Sequence, residues 1–265
     1  MRIIDVHSHL DMPEFAADLP RVVERAIRAG VEVMICVGTD LASSRACVEL
    51  ARRFPGRLYA AVGIHPNSWS QAGPEDMRGI ERLCALPEVV AVGETGLDFH
   101  HALTDRRGQA AGFVEHIRVA RSARKPLMVH ARKSDEHVLA ILAREAVGPG
   151  GAADLPGVRH CFDGSADIAA RYVEQGLHIS FGGLITRPGH DKVKQAARTV
   201  PAGRLLIETD CPYQTPALHA GERNEPAYAL ETLQALAALR GETPEALANS
   251  TTRNAEALFL QRSSP

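Results

Sequence analysis

The sequence predicts an α/β protein folded as a single (β/α)8 barrel with a metal site at its C-terminal mouth. Three observations carry this. Eight short, β-branched segments alternate with helical segments from end to end, which implies a parallel sheet. The 265 residues match the roughly 250 that one such barrel takes, so residues 1–265 read as one domain. Metal-ligand side chains recur just past the strand ends, where a barrel gathers them at one mouth.

The predicted strands are Ile3–Val6, Val33–Val37, Leu58–Val62, Val89–Val92, Leu127–Val129, Gly157–His160, Leu177–Ser180 and Leu205–Ile207. Helical periodicity follows each strand. Leu19–Ala29 places Leu19, Val22, Val23, Ala26 and Ile27 on one face. Comparable helices fit Ser43–Arg53, Glu75–Ala85, Arg107–Ala123, Glu136–Glu145, Ala166–Glu174 and Lys192–Arg198. The chain closes with Tyr228–Leu239, Pro244–Leu247 and Asn254–Leu260. An open Rossmann-like sheet is the competing architecture, but no G-x-G-x-x-G follows the first strand. Gly148-Pro149-Gly150-Gly151 reads as a loop before the sixth strand.

Composition narrows the function classes. With 45% hydrophobic and 23% charged residues the chain can build a large core. A formal net charge of −2 gives no basic footprint of a nucleic-acid-binding domain. Bound cations can still supply positive charge at a phosphate. Cys36, Cys47, Cys84, Cys161 and Cys211 are odd in number and include no C-x-x-C pair, so they read as reduced thiols of a cytoplasmic protein. The N-terminus lacks a signal-peptide apolar region, and no run is long enough for a membrane span. No segment points to an obligate protein partner.

The chemistry is carried by position. His7 and His9 follow the first strand, His65 the third and Glu94 the fourth. His130 and His160 end the fifth and sixth strands, and Asp210 follows the eighth. A lone strand-end histidine is more often a hydrogen-bonded structural residue than a ligand, and H-x-H alone is a weak motif. Five strands ending in ligand-type residues form a far more specific pattern. Imidazoles with carboxylates suit Zn²⁺, Mn²⁺ or a similar divalent ion. Such an ion lowers the pKa of its water from about 15.7 towards about 7. The donors outnumber those one tetrahedral ion needs, which argues for two ions about 3.5–4 Å apart with Glu94 bridging. Glu208 reads as a buried salt-bridge partner, and Asp11 as a helix or turn cap. Cys211 has no identified base, so it makes a poor nucleophile. The other histidines, His100, His101, His116, His137, His178, His190 and His219, read mostly as surface or structural residues.

The motifs DVHSHLD, VGIHPN, VAVGETGLDFH, PLMVHAR, RHCFDG, LLIETDCPY and RNEPAY, in this order along the whole chain, resemble the TatD family of metal-dependent hydrolases and nucleases within the amidohydrolase-like group. The resemblance implies a barrel with one to three divalent ions (Mg²⁺, Mn²⁺ or Zn²⁺). It implies that His7 and His9 hold one ion, that Glu94 bridges to a second on His130 and His160, and that Asp210 binds the first and orients or deprotonates the attacking water. It places His65 near the substrate phosphate and Arg223 at that end of the pocket. The implied activity is 3′–5′ exodeoxyribonuclease or small-phosphodiester hydrolysis. Two departures, Asp163 where relatives often carry Ser or Thr and Glu222 where they often carry a basic residue, add negative charge and weaken the case for a long polyanion.

Hydrolysis of an amide, an ester or another small substrate is the alternative activity. Glu94 stands where amidohydrolases often carry a carbamylated lysine, which favours the nuclease-like branch. A non-enzymatic metal-binding or scaffold protein predicts missing ligands, and all six are present.

Overall fold

A computed structural model of the chain describes residues 1–100, 105–148 and 155–260. His101 and most of the predicted glycine loop at 148–151 lie outside the described residues.

Eight parallel strands pair in sequential order: β1 (Ile3–Ser8), β2 (Val31–Val37), β3 (Leu58–Val62), β4 (Val89–Asp98), β5 (Leu127–Arg132), β6 (Gly157–Arg159), β7 (His178–Phe181) and β8 (Leu205–Ile207). The sheet closes where the segment after β8 meets the end of β1. Ser8 bridges to Cys211, His9 N–H donates to Cys211 C=O at 2.8 Å, and Asp210 N–H donates to His7 C=O at 2.9 Å. Asp5 ties the same seam from below: its carboxylate accepts from the Thr209 amide at 2.9 Å and the Thr209 hydroxyl at 2.6 Å.

The helices are α1 (Leu19–Arg28), α2 (Leu41–Arg53), α3 (Pro74–Cys84), α4 (Arg106–Ala123), α5 (Asp135–Arg144), α6 (Ala166–Glu174), α7 (Asp191–Thr199), α8 (Ala229–Arg240) and α9 (Pro244–Ala255). Their starts obey local chemistry. Asp40 and Ser43 form a reciprocal capping box on α2, and prolines occupy the first turn of α1, α3 and α9. No helix among the described residues is long and apolar enough to cross a membrane.

Strand alternation sorts the apolar side chains into two sets. Ile4, Val6, Val33, Ile35, Val37, Met128, Val158 and Leu206 fill the barrel interior, joined by Ala255 and Phe259. Ile3, Met34, Leu58, Ala60 and Val62 belong to the larger layer shared with the helices. The C-terminal segment therefore plugs the barrel at the strand starts. There Thr252 Oγ1 donates to Arg2 C=O and the Asn254 amide donates to Ala202 and Leu205 C=O.

Several sequence boundaries are corrected. β1 runs to Ser8, β4 to Asp98 and β5 to Arg132, so His7, Glu94 and His130 lie inside strands rather than at or past their ends. The expected break between Leu247 and Asn254 is absent. The polar stretch Asn249–Arg253 stays helical because Thr251 bonds back to Leu247 C=O and Thr252 finds a partner in the Arg2 carbonyl just before β1.

The extension of β4 depends on Gly96. Its φ is +134°, and a Cβ there would stand 2.0 Å from the His130 carbonyl oxygen, its partner in the sheet. Gly96→Ala is therefore expected to destabilise the chain by about 3 kcal/mol, lowering the thermal midpoint by about 6–12 °C. Calorimetry on the purified variant checks this, and an unchanged midpoint would contradict the packing described.

Candidate metal centre

The strand ends bring six of the eight predicted site residues around one buried carboxylate. Glu94 is 3% exposed, and five imidazoles face it. Its Oε1 lies 2.7 Å from His130 Nδ1, 2.8 Å from His160 Nε2 and 3.6 Å from His65 Nε2. Its Oε2 lies 3.6 Å from His7 Nε2 and 3.7 Å from His9 Nε2. Asp210 Oδ1 completes the far side, 3.5 Å from His9 Nε2 and 3.8 Å from His7 Nε2.

Two donor groups that can hold a cation thus share Glu94. One is His7, His9 and Glu94, with Asp210 beside it; the other is Glu94, His130 and His160. Nitrogens 3.2 Å apart (His7 Nε2 and His9 Nε2) or 3.3 Å apart (His130 Nδ1 and His160 Nε2) aim their lone pairs at common points. That is the convergence of N and O donors a divalent ion requires.

Neighbouring groups orient these rings. His9 Nδ1 donates to Val37 C=O at 2.9 Å, which leaves Nε2 as the donor atom for a metal. The His7 ring stacks on His160 at 3.9 Å. His130 Nε2 faces Asp98 Oδ2 at 3.3 Å, a carboxylate–histidine pair that frees Nδ1 for the centre. Asp98 in turn accepts from the Asn67 amide at 3.1 Å and from the His100 backbone N–H at 2.9 Å.

Sequence reasoning missed Asp98. The available signal was its even spacing from Glu94, which places both on one side of an extended strand. It also missed Arg159, which is 1% exposed and fastens the ligand-bearing ends of β5 and β6 together. Its guanidinium donates to Ala131 C=O at 2.6 Å, to His160 C=O and to Cys161 C=O at 3.2 Å. Asp135 at 3.1 Å and Asp163 at 2.8 Å balance its charge. Asp163 is thus an ion-pair partner rather than free negative charge at the mouth. Glu222 accepts from His219 and Tyr228 and does not line the cavity.

The structure places Arg223 elsewhere. It pairs through both terminal nitrogens with Asp18, each at 2.9 Å, lies over the Phe15 ring and lines no part of the cavity. Glu208 is fully buried and accepts from the Cys161 amide, with His160 Nδ1 at 3.8 Å. Asp11 caps no helix; its carboxylate accepts from the Cys36 thiol at 3.6 Å. Cys211 is buried beside the barrel seam. His116 is structural, its Nε2 accepting from Ile64 N–H and its Nδ1 donating to Gly112 C=O.

The charge states follow from burial set against neighbours. Burial opposes ionisation of Glu94, but the histidines around it hold its carboxyl well below the usual range. Burial likewise opposes ionisation of Asp210, yet His9, His7 and His160 keep its pKa depressed. His65 is driven down to about 4, chiefly by burial, so it is neutral at physiological pH. Its Nδ1 accepts from Asn67 N–H at 3.1 Å, which puts the proton on the Nε2 that faces the centre. Burial also disfavours charge on His9 and His160. Asp210 and Glu94 outweigh it and raise His9 to about 9, and Glu94 and Glu208 raise His160 to about 10.

A metal-loading prediction follows. In the metal-free chain at pH 7.5 these two rings hold protons that a cation must displace. Divalent-ion binding is therefore expected to release protons and to weaken as pH falls. Calorimetric titration in buffers of different ionisation enthalpy measures the release, and a buffer-independent heat would refute it. The same protons stabilise the metal-free fold fully below pH 6.5, the histidine reference value, and this contribution is lost as pH rises through about 9 and about 10.

Comparison with known proteins agrees in extent with this architecture. Residues 4–260 match the family model described as TatD related DNase. The chain is 37% identical to the uncharacterized metal-dependent hydrolase YabD of Bacillus subtilis, over 97% of this chain and 98% of that protein. It is 36% identical to the 3′–5′ ssDNA/RNA exonuclease TatD of Salmonella typhimurium, over 97% of this chain and 98% of that one. The crystal structure of YjjV, a TatD homologue from Escherichia coli, superposes with a TM-score of 0.92 at 29% identity and covers 98% of this chain and 99% of its own.

Proposed function

Because this chain belongs to the TatD-related DNase family, we propose that it removes nucleotides from the 3′ end of a single-stranded nucleic acid by hydrolysing phosphodiester bonds at the Glu94 centre. The chain is a metal-dependent hydrolase. The observation that carries the finer reading is the pair of donor groups sharing one buried carboxylate.

In this reading His7, His9 and Asp210 would hold one divalent ion and His130 and His160 a second, with Glu94 common to both donor groups. The imidazole-rich donors suit Zn²⁺ or Mn²⁺, and the carboxylates also admit Mg²⁺. Ions bound there supply Lewis acidity to the phosphate and a water activated at neutral pH. Asp210, ionised and open to the cavity, accepts the proton of the attacking water. His65, neutral with its proton on Nε2, donates a hydrogen bond to a phosphate oxygen. Arg159 and Asp98 touch no substrate in this scheme; Arg159 holds the backbone carbonyls of Ala131, His160 and Cys161, and Asp98 orients the His130 ring. The cavity is about 660 Å³, within the range of about 300–1,000 Å³ for small-ligand pockets, so it takes the end of a strand rather than a duplex. The five free cysteines suit the cytoplasm.

Asp210→Asn removes the proton acceptor without changing side-chain size. It is expected to lower kcat on a 5′-labelled single-stranded oligonucleotide by about 10²–10⁴-fold while circular dichroism stays native. Glu94→Gln is expected to lose bound metal by elemental analysis together with its activity. Wild-type-like turnover by either variant would remove that residue from the mechanism. Chelator-resistant activity, or activity on esters with none on phosphodiesters, would overturn the phosphodiesterase reading.

A further inference from the structure

Two arginines line the cavity, and they differ in one respect that bears on substrate. The Arg159 guanidinium is buried and fully engaged by two carboxylates and three carbonyls. Arg132 is exposed, and among the described residues no hydrogen bond or ion pair engages its side chain. It ends β5 two residues beyond His130, so alternation carries both side chains to the same side of the strand. Its sheet neighbour Asp98 is already committed to His130, Asn67 and the His100 amide.

Across the cavity, on the His9 and Asp210 side, stands Tyr213. It is 52% exposed, an unusual state for a large ring at the lip of a polar pocket. Its ring meets the edge of His9 with centroids 6.1 Å apart. The backbone beneath it is firmly held. Tyr213 N–H donates to Asp210 C=O at 2.9 Å, and the wholly buried Asn224 amide donates to Tyr213 C=O and, at 2.8 Å, to Thr209 C=O. The ring is thus presented to solvent from a rigid loop that also carries Asp210.

Resting on the nuclease reading above, we propose that Tyr213 and Arg132 form a clamp for a strand end, in which the terminal base stacks on the Tyr213 ring and the guanidinium of Arg132 binds a backbone phosphate. An exposed aromatic face stacks any base, so the clamp selects nucleic acid without selecting sequence. A free guanidinium presents paired donors to phosphate oxygens. The two side chains flank the centre on opposite sides, which sets the direction in which a strand lies across Glu94. They are the substrate-binding residues that the placement of Arg223, away from the cavity, leaves to be found.

Steady-state kinetics on a labelled single-stranded oligonucleotide, on the same oligonucleotide with an abasic 3′-terminal residue as the base-free substrate, and on bis(p-nitrophenyl) phosphate as a small diester test the proposal. Metal content is measured for every variant. Arg132→Ala is expected to raise KM for the oligonucleotide about 10–100-fold and to reduce the slope of its salt dependence by about one. Arg132→Lys should recover part of the loss. Tyr213→Ala is expected to raise KM for the oligonucleotide about 5–100-fold, with a clearly smaller effect on the base-free substrate, and Tyr213→Phe should restore it. With an active wild type, unchanged oligonucleotide kinetics in both alanine variants would overturn the clamp and leave the nuclease reading standing. Equal losses on the intact and the abasic oligonucleotide for Tyr213→Ala would overturn base stacking. A wild type that hydrolyses the small diester but no oligonucleotide would instead overturn the nucleic-acid reading, and the clamp with it.

Discussion

Glu94 is the residue on which the rest of the architecture turns. A carboxylate this buried is unfavourable unless positive charge or hydrogen-bond donors compensate it. Here five imidazoles from β1, the β3 loop, β5 and the end of β6 point at its two oxygens. The rings come from four different strand ends of the barrel mouth, so all five surround the carboxylate only when the sheet has closed around it. Room for it comes from small neighbours. A Cβ on Gly93 would stand 2.5 Å from the Met128 carbonyl oxygen, and one on Gly63 would stand 2.7 Å from the Gly93 carbonyl carbon. The glycines of VGIHP and VGETG let β3, β4 and β5 approach closely enough for their histidines to reach one point.

Closure of the barrel and assembly of the centre are one structural event at the β1–β8 seam. β8 ends at Ile207, three residues short of Asp210, and the connection is carried by the segment beyond it. The Asp210 amide binds the His7 carbonyl, and the His9 amide binds the Cys211 carbonyl. The two backbone bonds that seal the sheet thus fix the spacing between the H-x-H pair and Asp210. Asp5 reinforces them through Thr209, at the cost of burying an acid whose pKa burial pushes up to about 7. A residue two positions before His7 therefore serves the site from beneath it, its carboxylate also accepting from the His7 backbone N–H at 3.3 Å.

Much of this was legible in the sequence, for a physical reason. Alternation of β-branched runs with 3.6-residue periodicity fixes strands and helices, and in a parallel barrel the strand ends converge whatever their distance along the chain. His7, His9, Glu94, His130, His160 and Asp210 meet on that account. The strand ends themselves were harder to read. Gly93 and Gly96 look like turn signals after β4, yet β4 continues through both, because in a closely packed sheet glycine marks close approach as well as turning. Ending β4 at Val92 hid Asp98, which belongs to the same strand face as Glu94. The tie between Arg159 and Asp163 was illegible for a different reason, since a charged pair within a strand-end motif looks like surface until its burial is known. The placement of Arg223 was set by Asp18, some two hundred positions earlier, a pairing no local pattern announces.

On the nuclease reading proposed above, the balance of charge at the mouth reconciles a net charge of −2 with a polyanionic substrate. Four carboxylates line the cavity: Glu94, Asp98, Asp163 and Asp210. Asp163 pairs with Arg159, and Asp98 is engaged by His130 Nε2. Glu94 and Asp210 remain, with His65 neutral beside them. In a metal-free centre, protons on His9 and His160 provide the compensation, and protons cannot bind phosphate oxygens through several directions at once as a divalent ion does. Exchanging those protons for divalent cations would add positive charge facing the cavity, bordered by the exposed guanidinium of Arg132, which no side-chain partner engages among the described residues. Attraction for phosphate would therefore be strongest at the loaded centre. The overall acidity of the chain is no argument against such a substrate, because recognition depends on the local charge at the mouth rather than on the net charge.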